Sequence, residues 1–302
     1  MQYGRKYATM HSSKKNRRDT GMTLLELERA LAAFVAENPG NCVEASYAMR
    51  PEYVGTRIYE APLMGCAAAD DPLFAYMKQR KEIYGPTLRL PEEWLPGAVS
   101  VVSFFLPFTK EIRDSNRCDL TRPSDLWLHG RAEGQAFLDR ATAHLAELLR
   151  EAGGKVAIPS QDPEFYVIRD PARAERGEPP YVSNWSERHA AFTAGLGTFS
   201  LSKHLITEKG VSGRFSSLIT DLPLTVTPRP YTDPYEYCTF CGACRKRCIV
   251  NAIGEKEKDN RICSGFQHQM RERFAPRHGC GKCQLSVPCE TRRPKRSEAK
   301  MG

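Results

Sequence analysis

The sequence predicts a mixed α/β domain over residues 22–228, followed over 229–291 by a small α+β domain organised around metal centres. Three observations carry this. From Met22 to about Pro228, short β-branched and aromatic runs alternate with helical patterns, and the span is long enough to bury a core of its own. Eight of the eleven cysteines (Cys238, Cys241, Cys244, Cys248, Cys263, Cys280, Cys283 and Cys289) fall in the last quarter of the chain. No run approaches the roughly eighteen apolar residues of a membrane span.

Thr23-Leu-Leu-Glu26 is a capping box that opens an amphipathic helix ending at Asn38-Pro39-Gly40. Asp71-Pro72 starts a second helix through LFAYMKQRKEIYG, with proline at the permissive first turn. AVSVVSFFL (98–106), bounded by Pro96-Gly97 and Pro107, reads as a buried strand. The longest helix runs from Ser124 to Ala152, where Gly153-Gly154 ends it, and KVAIP follows as a strand. Ser183 and Asn184 with Glu187 cap a helix through SERHAAFTAG, and FSSLIT (215–220) is a further strand. There is no internal repeat and no low-complexity tract.

Four thiols in CTFCGACRKRC, Cys238 to Cys248, invite three explanations: disulfides, zinc or iron–sulfur. The N-terminal residues hold no apolar export signal, so the chain reads as cytoplasmic, where thiols stay reduced and clustered cysteines mean metal. Structural zinc sites take two short knuckles separated by a longer loop. The run C-x2-C-x2-C-x3-C is instead the bacterial ferredoxin signature, whose fourth cysteine serves the other cluster. Ile249 stands where that pattern has proline, which removes no ligand. Eight thiolates then serve two [4Fe–4S] clusters. One takes Cys238, Cys241, Cys244 and Cys289; the other takes Cys248, Cys263, Cys280 and Cys283. The small domain is accordingly expected to be ferredoxin-like. Cys42, Cys66 and Cys118 are left as small buried hydrophobes.

The formal charge of +8 sits at the ends: residues 1–22 carry +5, residues 292–302 carry +4, and the body is near neutral. The terminal segments 1–21 and 292–302 read as solvated basic tails, or as contacts for nucleic acid. Several motifs are missing. No C-x3-C-x2-C occurs, no Walker A, and no D-x-H-x-x-G for a corrinoid with a protein histidine ligand. GLGTFS (195–200) is not a dinucleotide loop, because a helix precedes it and Ser200 replaces its third glycine.

Glu187-Arg188, then Ala194-Gly195-Leu196-Gly197, then the cysteine run and Gly279-Cys280-Gly-Lys-Cys283-Gln284, occur in a fixed order. In this the chain resembles the epoxyqueuosine reductase family over roughly residues 22–291, and a branch sharing the wording Val287-Pro288-Cys289-Glu290. The resemblance implies a corrinoid enzyme related to the reductive dehalogenases. An N-terminal α/β domain would hold base-off cobalamin, and two [4Fe–4S] clusters would feed it electrons for a reductive step while a side chain supplies a proton. Two departures stand out. The family's acidic residue, six positions before Glu187, is here Tyr181, an acid with an unperturbed pKa near 10. The helices that follow the clusters and help hold tRNA in tRNA-modifying members are not expected, since eleven residues follow Thr291. A tRNA-borne substrate is therefore disfavoured.

On the corrinoid side the sequence offers Glu187, Arg188, Gly195, Gly197, Lys203 and His204. Each also has a plain structural reading. Glu187 and Arg188 point about 100° apart on a helix and read equally as a helix-start charge and a surface ion pair. Lys203 and His204 follow a turn where a cofactor phosphate or carboxamide would sit. His189 and His144 read as satisfied structural histidines, and Tyr181 as a packing residue after Pro179-Pro180. Two function classes follow. One is a cobalamin-dependent iron–sulfur reductase acting on a small molecule or modified nucleoside. The other is an electron-transfer protein that relays charge to, or activates, a partner protein. Either takes electrons from a donor such as a ferredoxin or flavodoxin. A zinc-bearing nucleic-acid binder is a third, weaker reading.

Overall fold

The computed structural model describes residues 21–295, so most of both expected basic tails lies outside the described residues. Helix α1 (Leu24–Glu37) begins at the expected capping box. Glu26 N–H donates to Thr23 Oγ1 at 3.2 Å, and Thr23 N–H donates to the Glu26 carboxylate at 2.7 Å. Strand β1 (Leu63–Ala68) follows, then α2 (Pro72–Gln79), capped by Asp71, a single turn α3 (Pro91–Trp94), and β2 (Ser100–Pro107). After α4 (Lys110–Ser115) comes the longest helix, α5 (Asp125–Glu151), with Ser124 Oγ accepting from Trp127 N–H at its N-terminus. Short strands β3 (Val156–Ala157), β4 (Val167–Arg169) and β5 (Tyr181–Ser183) lead to α6 (Glu187–Thr193). The hairpin β6 (Gly197–Phe199) and β7 (Leu205–Thr207) precedes β8 (Gly213–Thr220). The cysteine-rich part carries α7 (Ala243–Lys246) and α8 (Asn260–Phe274).

The main sheet has the order β1-β2-β8-β3, antiparallel throughout. Helices cover both of its faces, which is why β2 is buried along its whole length. On one face Val102, Phe104, Leu106 and Leu218 pack against Leu27 and Leu31 of α1 and Phe137 and Leu145 of α5. On the other, Val101 and Ile219 pack against Phe74 and Met77 of α2 and Ala190 of α6. Beyond β8, β3 pairs only with Ile219 and Thr220, so among the described residues the edge from Gly213 to Leu218 carries no strand. That open edge lies between α5 and α6.

Three local expectations change. The second helix ends at Gln79 rather than running to Gly85, because Arg80 leaves helical geometry at φ −104 and ψ 102. The cap of α6 is Ser186. Asn184 instead accepts from Tyr166 N–H at 3.0 Å and donates to the Glu164 carbonyl at 2.8 Å, stitching the loop before the helix. Strand β1 had no sequence signal, since LMGCAA lacks β-branched residues.

The cysteine-rich segment is pinned to the α/β domain at several points. Val211 N–H donates to the Cys289 carbonyl at 3.0 Å, and Phe199 N–H to the Pro234 carbonyl at 2.7 Å. Arg117 grips the buried Glu290 carboxylate with two nitrogens, at 2.8 and 2.6 Å. Gly281 lies on the indole of Trp127, which is fully buried at the start of α5; a Cβ there would stand 1.9 Å from the ring.

This contact predicts a contrast between two glycines of the cysteine motifs. Gly281 and Gly242 both adopt positive φ, +71 and +75, but a Cβ at Gly242 meets nothing within 4 Å. Gly242→Ala should cost only the left-handed backbone penalty, about 1 kcal/mol. Gly281→Ala adds the clash with Trp127 and should cost on the order of 3 kcal/mol in denaturant unfolding. Equal costs would show that the Trp127 contact does not hold the turn.

Candidate functional site

The eight clustered thiols fall into two spatial groups. Cys238, Cys241, Cys244 and Cys289 line one cavity, walled also by Leu201, Ile206 and Val287. In the second, Cys283 lies within a 3-10 turn (Lys282–Gln284) and Cys280 just before it, with Cys263 on the first turn of α8 and Cys248 just after α7. Cys280 feels both Cys263 and Cys248 electrostatically, while Cys289 feels Cys244, Cys238 and Cys241. The groups adjoin, since Cys244 and Cys283 also sense each other. Backbone and side-chain donors face the sulfurs: Ala252 N–H reaches Cys248 Sγ at 3.2 Å and Gln267 Nε2 reaches Cys263 Sγ at 3.4 Å. Such donors favour thiolates.

Burial disfavours the thiolate at Cys238, Cys244, Cys280, Cys283 and Cys289. Burial first, then the neighbouring thiols, push Cys244 up to about 11. Burial pushes Cys283 up to about 12 against the pull of Lys258, and Cys289 rises further. Among the described residues no three His, Cys, Asp or Glu side chains close tightly enough to hold a single metal ion. Four sulfurs on one zinc, each about 2.3 Å from it, would crowd within about 4 Å of one another. The thiols here surround a space instead.

Next to the second group lies a polar recess between α5 and α6, along the open edge of β8. Its lining side chains share one property: solvent reaches them, yet protein surrounds and desolvates them. Arg188 is exposed but burial lowers its pKa. The Arg214 guanidinium beside it, together with burial, lowers half-buried Arg131 to about 9. Burial pushes Glu187 up to about 8, despite a 2.6 Å hydrogen bond from Ser217 Oγ; its Oε1 has no partner. Asp139 of α5, which senses both Arg214 and Glu187, is also raised by burial. The electrostatic neighbours run from Arg131 through Arg214, Asp139, Glu187 and Tyr84 to Arg188, which Arg131 also senses.

The recess meets the cysteines at His204. Burial holds this histidine neutral, Gln284 Nε2 is 3.0 Å from its Nε2, and Cys283 Sγ is 4.0 Å from its Nδ1. Arg188, which donates to the Lys203 carbonyl, senses Cys263 and Cys283.

Other sequence-derived residues fall elsewhere. Glu187 and Arg188 make no surface ion pair with each other; Glu187 turns to Ser217 and Arg188 to Lys203. Tyr181 is 39% exposed on the β4–β5 hairpin, where its hydroxyl accepts from Arg169. It does not reach the recess. Gly195 and Gly197 allow close backbone approach, with a Cβ at Gly197 standing 1.9 Å from the Ile206 carbonyl. Gly197 N–H is taken by Tyr231 Oη, and Lys203 Nζ donates to Tyr235 Oη at 2.7 Å. These three are engaged within the protein. His189 packs edge-on against Tyr84 and bonds Ser186, and His144 stacks on Phe34, as structural histidines do. Cys66 is buried as expected, but Cys118 is exposed and Cys42 half-buried, so neither serves as a core hydrophobe. Arg131, Asp139 and Arg214 carried no motif; a charged residue on the inward face of a helix or strand is the signal they offered, whereas Gln284 closes the Gly279–Gln284 motif.

No protein-family model matches the chain, and no curated protein matches it in sequence. Among solved structures it is similar to a selenomethionine-labelled epoxyqueuosine reductase, at 18% identity over 91% of this chain and 71% of that one, with a TM-score of 0.49. The epoxyqueuosine reductase from Bacillus subtilis is 19% identical over 78% of this chain and 65% of its own, at 0.43. A reductive dehalogenase, whose structure is described as suggesting a mechanism for B12-dependent dehalogenation, is 16% identical over 79% of this chain, at 0.49. The chain spans 32% of that dehalogenase's length. The structural neighbours are thus the two enzyme groups that the motif order resembles. The likeness is one of fold, and the functional reading rests on this chain's own residues.

The raised pKa of Glu187 has a testable sign. Its unfolded value is near 4.3, so below that pH both states are protonated and burial of the carboxyl carries no ionisation cost. As pH climbs towards the folded value of about 8, the unfolded chain ionises first and the folded protein loses stability. Glu187→Gln keeps the acceptor for Ser217 and cannot ionise. Its urea midpoint should match wild type near pH 4 and exceed it near pH 8, by on the order of 3 kcal/mol. A pH-independent offset would mean that Glu187 is ionised in the folded protein.

Proposed function

We propose that the chain is an iron–sulfur reductase. In this reading Cys238, Cys241, Cys244 and Cys289 hold one [4Fe–4S] cluster, Cys248, Cys263, Cys280 and Cys283 hold a second, and cobalamin binds in the recess. The donor set fits: the thiols come in fours, Cys238, Cys244, Cys280, Cys283 and Cys289 are raised by burial, and the first group of four lines a cavity. The recess fits too. The open edge of β8 leaves backbone donors and acceptors free for a ligand rich in amides, and buried polar atoms of Glu187, Arg214 and Gln284 lack partners. When bound, the clusters would supply electrons singly and the corrinoid a strongly reducing metal.

The observation that carries the proposal is the position of the second cysteine group. It opens onto the recess, through Arg188 and through His204 with Gln284. A relay needs its terminal cluster at a surface where a partner docks, whereas here electrons would arrive inside the protein. The first group lies nearer the outside, beside Phe240, 51% exposed, and exposed Arg245 and Lys246. This is where an acidic electron donor such as a ferredoxin or flavodoxin would dock.

This chain's residues have defined tasks in the scheme. Arg188 stands between the second cysteine group and the recess. Neutral His204, held by Gln284 and Ser202, closes the wall beside Cys283 without adding charge. Glu187 keeps a proton in the recess near neutral pH. Tyr181 has no such task, because it faces solvent from its hairpin. The substrate would be a small molecule or modified nucleoside that enters the recess.

Two outcomes are expected. Cys289→Ala should lose about half of the iron and sulfide after anaerobic reconstitution, with the surviving paramagnetic signal that of the Cys280 group. Loss of all iron, or of none, would break the assignment. Cob(II)alamin added to the reconstituted protein should give a base-off electron paramagnetic resonance signal at one equivalent. A free-cobalamin spectrum with intact clusters would instead support an electron-transfer protein serving a partner.

A further inference from the structure

We infer that the recess contains an oxyanion subsite at Arg131 and Arg214, which takes a carboxylate or phosphate group of a bound small molecule. The inference deepens the proposed function, since it concerns the same recess, and it names the chemistry of what enters there.

The recess holds more positive charge than it neutralises. Arg131 comes from α5, Arg188 from α6 and Arg214 from β8, yet Arg131 senses both of the others. Two of them also meet at His278, which feels both Arg131 and Arg214. None of the three forms an ion pair among the described residues. Arg188 has an electrostatic partner in the second cysteine group, whose cluster would carry negative charge. Arg131 has no carboxylate partner, and Arg214 senses only Asp139, across Gln135. Arg131 rests against the backbone of Gly279 and makes no hydrogen bond there. Arg214 gives one nitrogen to Gln135 Oε1, while its Nε and Nη1 are buried with no acceptor. The hydroxyl of Tyr59, also buried and without a partner, senses both guanidiniums.

The acidic groups that face this pair do not cancel it. Asp139 accepts from Gln135 Nε2 at 2.7 Å rather than from Arg214, and burial favours its neutral form. Glu187 lies beyond Asp139 and holds its proton near neutral pH. Gln135 stands between Arg214 and Asp139, bonded to both, and keeps the cation and the carboxylate from joining. Buried arginines are rarely left unpaired, because desolvating a guanidinium without a counter-charge is costly. An oxyanion is the complement: it would take the donors that half-buried Arg131, the buried nitrogens of Arg214 and the Tyr59 hydroxyl leave open, through charge-assisted bonds.

Two molecules offer such a group: the substrate, and cobalamin itself through its nucleotide phosphodiester. The test separates them. Inorganic phosphate and sodium benzoate are titrated calorimetrically into the cluster-reconstituted full chain, at constant ionic strength in chloride. Both should bind, and Arg131→Gln and Arg214→Gln should each weaken them at least tenfold. Arg150→Gln, on the exposed end of α5, should leave them unchanged. Urea midpoints check that each variant is folded; Arg131, which makes no hydrogen bond, is the safer of the two. If the subsite serves the cofactor, Arg131→Gln weakens cob(II)alamin but not cobinamide, which lacks the phosphodiester, and cobalamin blocks phosphate. If it serves the substrate, cob(II)alamin affinity is unchanged and phosphate still binds the loaded protein. Phosphate binding that depends on Arg131 in a chain that takes no corrinoid would keep the subsite and remove the cobalamin reading. Anions that bind no better than chloride, or equally well to wild type and both variants, would overturn the subsite.

Discussion

Asn116 ties the turn at Cys280–Gln284 to the rest of the protein. Its side chain accepts from Ser124 N–H at 2.9 Å, at the N-cap of the longest helix, and donates to the Cys280 carbonyl at 2.8 Å. Its carbonyl and amide oxygens also accept the fully buried ammonium of Lys282, at 2.9 and 2.7 Å. A lysine without water and without a carboxylate is expensive, and burial lowers Lys282 to about 8. The arrangement is more stable when negative charge lies close by, and Cys280 does. In the proposed scheme a metal centre at Cys280 and burial of Lys282 would support each other, and both depend on one amide.

With the Lys282 turn fixed, the rest of the site follows. Trp127 under Gly281 sets the depth of the turn, and Arg117 on Glu290 holds the strand of chain that brings Cys289 to the first cysteine group. Cys283 and Gln284 then face His204, which the β6–β7 hairpin presents from the other side. The recess has walls from both parts of the chain: Arg131, Asp139, Glu187 and Arg214 from the α/β domain, His278 and Gln284 from the cysteine-rich part. Neither part makes it alone. A change in the seating of the turn thus reaches the recess without touching any residue that lines it.

This division explains what could be read from sequence. Ligand spacing is local, so C-x2-C-x2-C-x3-C and the later cysteines declare themselves, as do capped helices such as α1 and α5 and the apolar run of β2. The recess is not local. Arg131 and Arg214 are single arginines more than eighty positions apart, joined only because β8 pairs with β2 and packs on α5. Counting back from Glu187 reached Tyr181, but the residue count carries no direction, and the β4–β5 hairpin turns that ring to solvent. Gly195-Leu196-Gly197 looked like a turn that greets a ligand; its glycines instead let the β6–β7 hairpin and the segment after β8 come within contact. Glu187 and Arg188 were legible as a pair, but only the fold shows that they part.

The surplus of positive charge and the neutral carboxyl answer the same electrostatic demand. In the proposed scheme each electron delivered to the recess adds a negative charge among desolvated groups, where unit charges a few ångströms apart interact by several kcal/mol. Unneutralised Arg131 and Arg214 lower that cost before any electron arrives. Glu187 lowers it afterwards, since a group that titrates near pH 8 can release a proton to a newly formed anion and then face the arginines as a carboxylate. A recess built to hold a static cofactor would gain by pairing its charges. One that leaves two guanidiniums open beside a protonated acid is arranged for charge that comes and goes.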